Sequence, residues 1–259
     1  MTHPILYLGD TSLATAASYL AGVMHRAGLL FDHKASHEGV SPDDVAGRKL
    51  IIVSDYPAAR CSPAAQAAMA HAVEGGAGLL MLGGWESFHG LGGDWDATAL
   101  TPLLPVVISA ADDRINGDGV ALLRLTDAGA CHEATASLPW DARPPVVGGW
   151  SRFSPKAGAR VLLEVVPHRT RREGSGFAFM AGPAEPMLVV GNTPGTRVAC
   201  LATDAAPHWV GPLVDWGTDN TAPSCAGRVK AQAPGAEAIE VGALYAQFLE
   251  QLVRWTGRL

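Results

Sequence analysis

Short apolar runs separated by helix-forming segments constrain the fold of this chain more than any other feature of its sequence. In the first 85 residues the apolar runs are 4–9, 29–33, 50–55 and 78–84. Residues 12–27 form a helical segment that stops at Gly28, and a second one starts at Ser62-Pro63 and continues to about Val73. This β-α-β-β-α-β alternation predicts a parallel sheet with helices on both faces.

The remainder of the chain predicts an added, mostly antiparallel section. Strand-like runs follow one another with few helical patterns between them, at 103–109, 120–125, 161–166, 177–180, 187–191 and 197–203. Residues 205–236 are predicted to be a long loop, and 237–255 have the spacing of a C-terminal helix. We therefore expect one α/β domain over residues 1–259, with a doubly wound sheet in which 5–9, 50–54, 79–82 and 197–203 are parallel neighbours.

Composition and charge exclude several classes of partner. Of the 259 residues 48% are hydrophobic and 17% charged, with a net charge of −6, and no basic run is longer than that of residues 169–172. Nucleic acid therefore has no electrostatic footprint to bind. No apolar run approaches the roughly 20 residues of a membrane-spanning helix, and no basic segment precedes the first run. Four dispersed cysteines without a Cys-x-x-Cys pair indicate reduced thiols in a cytoplasmic protein.

Polar and aromatic residues follow the ends of the predicted parallel strands. Ligands of open α/β sheets bind outside the carboxyl ends of the strands, so these residues are the candidate site. They are Asp10, Asp55, Gly83, Gly84, Trp85, Glu86, Ser87, Asp204, His208 and Trp209. Ordinary structural roles remain open for them: helix capping for the aspartates, turn geometry for the glycines and a plain loop position for the histidine.

Two chemistries can be assembled from these residue types. Ser87, His208 and Asp204 have the types of a hydroxyl nucleophile, its base and an orienting carboxylate, and the glycine pair can expose backbone N–H groups to an anion. A Gly-x-Ser-x-Gly motif is absent. His89 and His208 lack the spacing of a metal-binding motif, so we expect neither a metal nor a cofactor.

Four segments resemble one known family. They are residues 6–10, residues 52–55, the glycine-rich segment 78–90 with Leu104-Pro105-Val106 downstream, and residues 197–209, which end in Asp-Ala-Ala-Pro-His-Trp. In these segments the chain resembles the glutamine amidotransferase-like family, a branch of the class I amidotransferase-like superfamily close to the trehalose-utilisation proteins. The resemblance implies a flavodoxin-like sheet. In active members a cysteine on a strand-to-helix elbow, with a His-x-Glu pair after the last strand, hydrolyses glutamine through a thioester.

The chain departs from that catalytic pattern at two positions. The elbow falls at about Gly84, with Cys61 and Cys131 as the nearest cysteines, and the residue two after His208 is Val210 rather than a glutamate. None of the four cysteines, Cys61, Cys131, Cys200 and Cys225, is therefore expected to form a thioester.

Three functions stay open at this stage. The first is binding of a small polar molecule, an amide or a sugar, through the aspartates, glycines and tryptophans at the strand ends. The second is a hydrolase or transferase in which Ser87 or water is the nucleophile and His208 the base, with Trp209 covering the site. The third is a structural or assembly subunit with a degenerate site. Self-association into a homo-oligomer is compatible with all three. A hydrogen bond between Ser87 and His208 would favour the second function. An open pocket above Gly83-Gly84 without that bond would favour the first, and a filled pocket the third.

Overall fold

A large mixed sheet lies at the centre of the computed structural model, which describes residues 2–218 and 227–259. The strands in these ranges are β1 (Ile5–Gly9), β2 (Phe31–Lys34), β3 (Leu50–Ser54), β4 (Gly78–Leu82), β5 (Val106–Ile108), β6 (Arg114–Leu125), β7 (Val146–Ser151), β8 (Phe153–Pro155), β9 (Arg160–Glu173), β10 (Gly176–Ala181), β11 (Glu185–Val190), β12 (Arg197–Leu201), β13 (Arg228–Ala231) and β14 (Ile239–Gly242). The α-helices are α1 (Ser18–Arg26), α2 (Pro42–Val45), α3 (Pro63–Glu74), α4 (Asp127–Ala130), α5 (Pro207–Val210) and α6 (Ala243–Gly257).

The parallel half of the sheet has the order β2-β1-β3-β4-β12. The predicted parallel neighbourhood of the strands at 5–9, 50–54, 79–82 and 197–203 is thereby confirmed. Gly9 pairs with Ser54, Ser54 with Leu82, and Leu82 with Leu201. Four strands therefore end at the same level, and the residues that follow them emerge at one edge of the sheet.

The antiparallel half continues from β12 in the order β11-β9-β6-β7, and β10 pairs with β9. Two small two-stranded sheets, β5-β8 and β13-β14, lie outside this main sheet. The sequence thus predicts the parallel part and the added antiparallel part correctly.

The core is built around β1, β3 and β4, whose residues are all buried. Burial on both faces is what the uninterrupted apolar composition of these strands requires. Helix α6 contacts α1 as well as β3, β4 and β12, while α2 contacts α3. Within the described ranges, no helix combines the length and the apolar character needed to cross a membrane.

Several element boundaries differ from the sequence expectation. The first helix begins at Ser18 rather than residue 12, because Asp10 and Thr11 have positive φ and the Ala17 N–H bonds back to the Asp10 carbonyl. The second strand lies at 31–34 rather than 29–33, and the strand expected at 103–109 shortens to β5, which pairs with β8 instead of joining the main sheet.

The C-terminal region is more ordered than predicted. The expected loop at 205–236 contains α5, a 3-10 helix at Gly211–Asp215 and β13, while residues 219–226 lie outside the described residues. The helix expected from 237 starts at Ala243, because Ile239–Gly242 first pair with β13. At the junction, Gly242 approaches the Trp216 carbonyl too closely for any side chain.

Candidate functional site

Four parallel strands deliver polar groups to one edge of the sheet. Asp10 directly follows β1 and Asp55 directly follows β3, with φ of +54° and +47°. Aspartate adopts this left-handed conformation more readily than most side chains. The Gly83–Gly84 pair follows β4, and Asp204 lies three residues beyond β12. The register of the sheet therefore brings these residues together at one edge, as the sequence predicts.

Asp55 organises the loop that follows β4. Its Oδ1 accepts the Glu86 N–H at 2.5 Å, and its own backbone N–H donates to Ser87 Oγ at 2.8 Å. A Cβ at Gly84 would lie 2.7 Å from Asp55 Oδ1. Glycine is required at position 84 because the Asp55 carboxylate occupies the space that a side chain there would need.

Asp204 and His208 form a pair at the start of α5. The carboxyl of Asp204 is buried, and its Oδ1 accepts the N–H groups of Ala205 at 2.5 Å and Ala206 at 3.0 Å. Its Oδ2 lies 3.2 Å from Nε2 of His208, whose side chain is 48% exposed. Pro207 starts the short helix and leaves the imidazole at its first turn, open to solvent.

The carboxyl groups at this edge disfavour one another's ionisation. Burial, followed by the charge of Asp55, raises the pKa of Asp10 to about 7. Burial and the charges of Asp10 and Asp55 raise the pKa of Asp204 well above its usual range. Burial also raises the pKa of Asp55, and burial together with Asp55 raises that of Glu86. The phenol of Tyr7 donates to Asp10 Oδ2.

An open cleft of about 340 Å³ lies over part of this edge. Its lining consists of Asp55, Trp85, Glu86, Leu91 and His208. The Trp85 side chain is 46% exposed, and the Arg114 guanidinium lies 4.6 Å from the centre of its ring. The cleft therefore combines an aromatic side chain with two carboxyl groups and an imidazole.

Ser87 is not placed as a partner of His208. Its side chain is buried, and its Oγ accepts the Asp55 N–H. No hydrogen bond joins Ser87 to His208 among the residues that the structure describes. Of the two arrangements considered from the sequence, the open cleft without that bond is the one observed.

Trp209 does not line the cleft. It is buried, its Nε1 donates to Asn116 Oδ1 at 2.8 Å, and its indole lies against Gly149 of β7 so closely that a Cβ there would collide with it. Trp209 therefore does not cover the site, contrary to the expectation from the sequence. Its indole anchors the His208 turn to the antiparallel half of the sheet.

Two residues at the site were absent from the sequence reasoning. Leu91 lines the cleft, and its position directly after the glycine-rich segment 78–90 was a usable signal in the sequence. Arg114 stacks on Trp85 from the start of β6, and nothing in the local sequence indicates that contact.

Outside the cleft, one group in the described residues has metal-ligand types close together. The ligand atoms of His89, Asp94 and Asp96 lie within 4.8 Å of one another, and His89 Nδ1 is 2.9 Å from Asp96 Oδ1. The carboxylate of Asp96 raises the pKa of His89, as an ordinary ion pair does. The absence of a bound metal remains an expectation from the sequence.

The cysteines that the structure describes are Cys61, Cys131 and Cys200. Cys61 is buried, and burial raises its pKa to about 12. Cys200 lies fully buried inside β12, and burial raises its pKa also. Cys131 is exposed next to α4, and Cys225 lies outside the described residues. A thiol with a raised pKa is a poor nucleophile because little of it is ionised.

Comparison with known proteins confirms the resemblance found in the sequence. A family model described as "Putative glutamine amidotransferase" matches residues 40–222. A search of curated proteins finds no match.

Several solved structures share the fold at low sequence identity. The cytoplasmic protein STM3548 from Salmonella typhimurium is 18% identical, with a TM-score of 0.69 over 98% of each chain. The cytoplasmic protein STM1381 from Salmonella typhimurium LT2 is 22% identical, with a TM-score of 0.61 over 80% of this chain and 91% of the other. A ThuA-like protein from Parabacteroides merdae ATCC 43184 is 12% identical, with a TM-score of 0.56 over 99% of this chain and 90% of the other. At these identities the likeness is one of fold alone.

Proposed function

The chain belongs to the glutamine amidotransferase-like family, and we propose that it binds a small polar molecule, sugar-like or amide, in the cleft at the strand ends. The observation that carries the proposal is the composition of that cleft, which places Asp55, Trp85, Glu86 and His208 around an open volume of about 340 Å³. Pockets that bind small molecules combine apolar and aromatic walls with a few directed polar groups.

The chemistry of the lining supports a ligand rich in hydroxyl or amide groups. Carboxylate oxygens of Asp55 and Glu86 accept hydrogen bonds, and the half-exposed imidazole of His208 donates or accepts according to its tautomer. Trp85 offers an apolar ring of the kind on which the C–H face of a sugar packs. The Arg114 guanidinium lies over one face of that ring, 4.6 Å from its centre.

Thioester chemistry is not part of the proposal. At the elbow position, the Asp55 carboxylate takes the space that a cysteine side chain at Gly84 would occupy. We expect no hydrolysis of glutamine by the wild-type protein, measured as ammonia release. Activity in the wild type that disappears when Cys61, Cys131, Cys200 and Cys225 are all replaced by serine would contradict this.

We also propose that the parallel half of the sheet has the flavodoxin-like, doubly wound arrangement that the family resemblance implies. The order β2-β1-β3-β4-β12 supports a flavodoxin-like, doubly wound arrangement of the parallel half. We also take residues 1–259 as one domain and the protein as cytoplasmic.

A second candidate function rests on the contact between His208 and Asp204. The buried carboxyl group of Asp204 lies 3.2 Å from the exposed imidazole and can orient the ring. On this proposal His208 is the base that activates water against a ligand bound in the cleft, and Ser87 is not the nucleophile.

The binding proposal is tested by thermal shift and calorimetry with a panel of monosaccharides, disaccharides, carboxamides and amino acids. A ligand at 100 times its dissociation constant should stabilise the fold by about 2.7 kcal/mol. Trp85→Ala and Glu86→Gln should each abolish that shift. The matched controls Leu30→Ala and Glu237→Gln, which alter an exposed large apolar side chain and an exposed acid outside the cleft lining, should retain it.

His208→Ala separates the two candidates. If a panel member binds and is also converted, the variant should lose turnover and keep part of the affinity. If the panel member only binds, affinity alone should fall. A panel that gives no stabilisation of the wild type, or a Trp85→Ala variant that responds like the wild type, would contradict the binding proposal.

A further inference from the structure

The hairpin formed by β9 and β10 extends beyond the main sheet. Strand β9 pairs with β6 and β11 only as far as Pro167, and from His168 onward its pairing partner is β10. At the base of the hairpin the Gly182 N–H bonds to the Pro167 carbonyl at 2.7 Å. We call residues 168–181 the arm. Within the described residues, the arm projects with one edge of β10 unpaired.

The outer strand of the arm lacks the features that normally protect a sheet edge. Its six residues, Gly-Phe-Ala-Phe-Met-Ala, include no charged residue and no proline. Phe177 is 66% exposed, Phe179 64% and Met180 45%. Edge strands are usually blocked by charges, prolines or bulges because their free N–H and C=O groups pair with other strands. An apolar, unblocked edge of this kind indicates an interaction surface.

We propose that the occupant of this edge is a second copy of the chain, with the two β10 strands paired antiparallel about a two-fold axis. A strand partner satisfies the free backbone groups of the edge, which a lipid surface leaves unpaired. With Phe179 opposite its own counterpart, Phe177 of each copy faces Ala181 of the other. Because side chains alternate along a strand, all four phenylalanines lie on one face of the joined sheet.

The net charges of the arm and of the rest of the chain favour a second copy of the chain as the partner over an unrelated basic or neutral protein. The arm carries three arginines, at 169, 171 and 172, and one glutamate, so its charge is +2 in a chain whose total is −6. Outside the arm the net charge is therefore −6 − (+2) = −8, so the arm of one copy and the body of another carry opposite charges, which favours their approach at low salt. The arginines lie on β9, so the two sets are three strand spacings apart, about 14 Å. That separation exceeds the Debye length of about 8 Å at physiological salt, and their mutual repulsion is screened.

The surroundings of the arm provide additional contact area. Ala181 lines a groove of about 590 Å³ whose apolar lining includes Val120, Trp150 and Met180. In the proposed register Phe177 of the second copy lies next to Ala181, at the mouth of this groove. The isologous arrangement thus places an exposed aromatic ring of each copy at a groove of the other whose lining is partly apolar and partly charged.

Sedimentation and light scattering over a range of concentrations test the proposal with the full chain. The wild type should be a dimer at micromolar concentrations, and the double variant Phe177→Asp/Phe179→Asp should be a monomer with an unchanged circular dichroism spectrum. The control Leu30→Asp, at another exposed apolar side chain outside the arm, should remain a dimer.

Cross-linking tests the register itself. In a background with Cys131 and Cys225 replaced by serine, Phe179→Cys should form an intermolecular disulfide on mild oxidation, because residues facing each other across an antiparallel pair have Cα atoms about 4.5–5.5 Å apart. Leu30→Cys should not. A monomeric wild type, or a dimer that survives the double aspartate substitution, would overturn the proposal. A monomer that binds vesicles of anionic phospholipid through Phe177 and Phe179 would identify a lipid surface instead.

Discussion

Asp10 couples the chemistry of the strand ends to the stability of the fold. Its folded-state pKa is about 7, because the carboxyl is buried and Asp55 lies nearby, whereas an aspartate in an unfolded chain releases its proton near pH 4. Between these values the folded state binds more protons than the unfolded state. The free energy of unfolding therefore falls as the pH rises through this window.

Asp10→Asn should reduce this pH dependence. An asparagine keeps an oxygen that accepts from Tyr7 but has no charge to bury. Of the loss of stability of the wild type between pH 5 and pH 8, Asp10 alone should account for about 3 kcal/mol, and this part should be absent in the variant. Urea unfolding at both pH values measures it. Asp141→Asn, an exposed aspartate, is the control, and a variant with the wild-type pH dependence would contradict the assignment.

Gly84→Cys should not restore an amidotransferase nucleophile. The new Cβ would meet the Asp55 carboxylate, so the loop after β4 must shift and the fold should lose about 1–3 kcal/mol. Glutaminase activity should stay absent. Gly39→Ala, where the nearest atom to the new Cβ is 3.8 Å away, is the matched control and should change stability little. A Gly84→Cys protein as stable as the wild type, or one that hydrolyses glutamine, would disprove this account.

The sequence identifies site residues better than it identifies their contacts. Asp10 and Asp55 follow apolar strands, so the register of a parallel sheet brings them to one edge. The roles of Ser87 and Trp209 depend on distances that no spacing encodes. The hydroxyl of Ser87 accepts a hydrogen bond from the Asp55 backbone N–H. The indole of Trp209 donates to Asn116, which is 93 residues away in the chain.

At the scale of elements, prediction succeeds where burial is complete on both faces of a strand. The core strands β1, β3, β4 and β12 are mostly apolar, and the sequence predicts their ends to within two residues. Strands β7, β8, β13 and β14 were missed, since they are short and contain glycine, proline or charged residues. Such strands form because they pair with a partner strand. The local sequence does not show which segment that partner is, so the strand cannot be predicted from it.

Because β7 contacts α5, a substitution in β7 should change the position of His208 in the cleft. Gly149→Ala puts a methyl group into the space of the Trp209 indole, so the helix that carries His208 must shift. We expect a loss of about 1–3 kcal/mol in stability and weaker binding of any ligand that contacts His208. Calorimetric titration beside urea unfolding measures both. Gly191→Ala, at a glycine whose new Cβ would meet no atom closer than 3.7 Å, is the comparison. Unchanged ligand affinity in Gly149→Ala would show that the packing of β7 against Trp209 does not affect binding at His208.

At the scale of the whole molecule, buried thiols report on global unfolding. Cys131 is exposed and should react with an alkylating reagent in the native protein. Cys61 and Cys200 are buried with raised pKa values, so they should react only when the core opens. Mass spectrometry of peptides labelled across a urea series gives the order. Rapid labelling of Cys200 below the unfolding transition would show that β12 opens separately from the rest of the sheet.

The adjacency of β4 and β12 also governs how the chain reaches its structure. These strands pair along their full length, yet all of residues 83–196, including the antiparallel half and the arm, lie between them in the sequence. During synthesis β1 to β4 emerge first and expose an apolar strand edge until Arg197–Leu201 leave the ribosome. Contacts this distant along a chain close slowly, so the nascent protein passes through a long-lived stage in which one side of its central strand is unpaired and prone to aggregation.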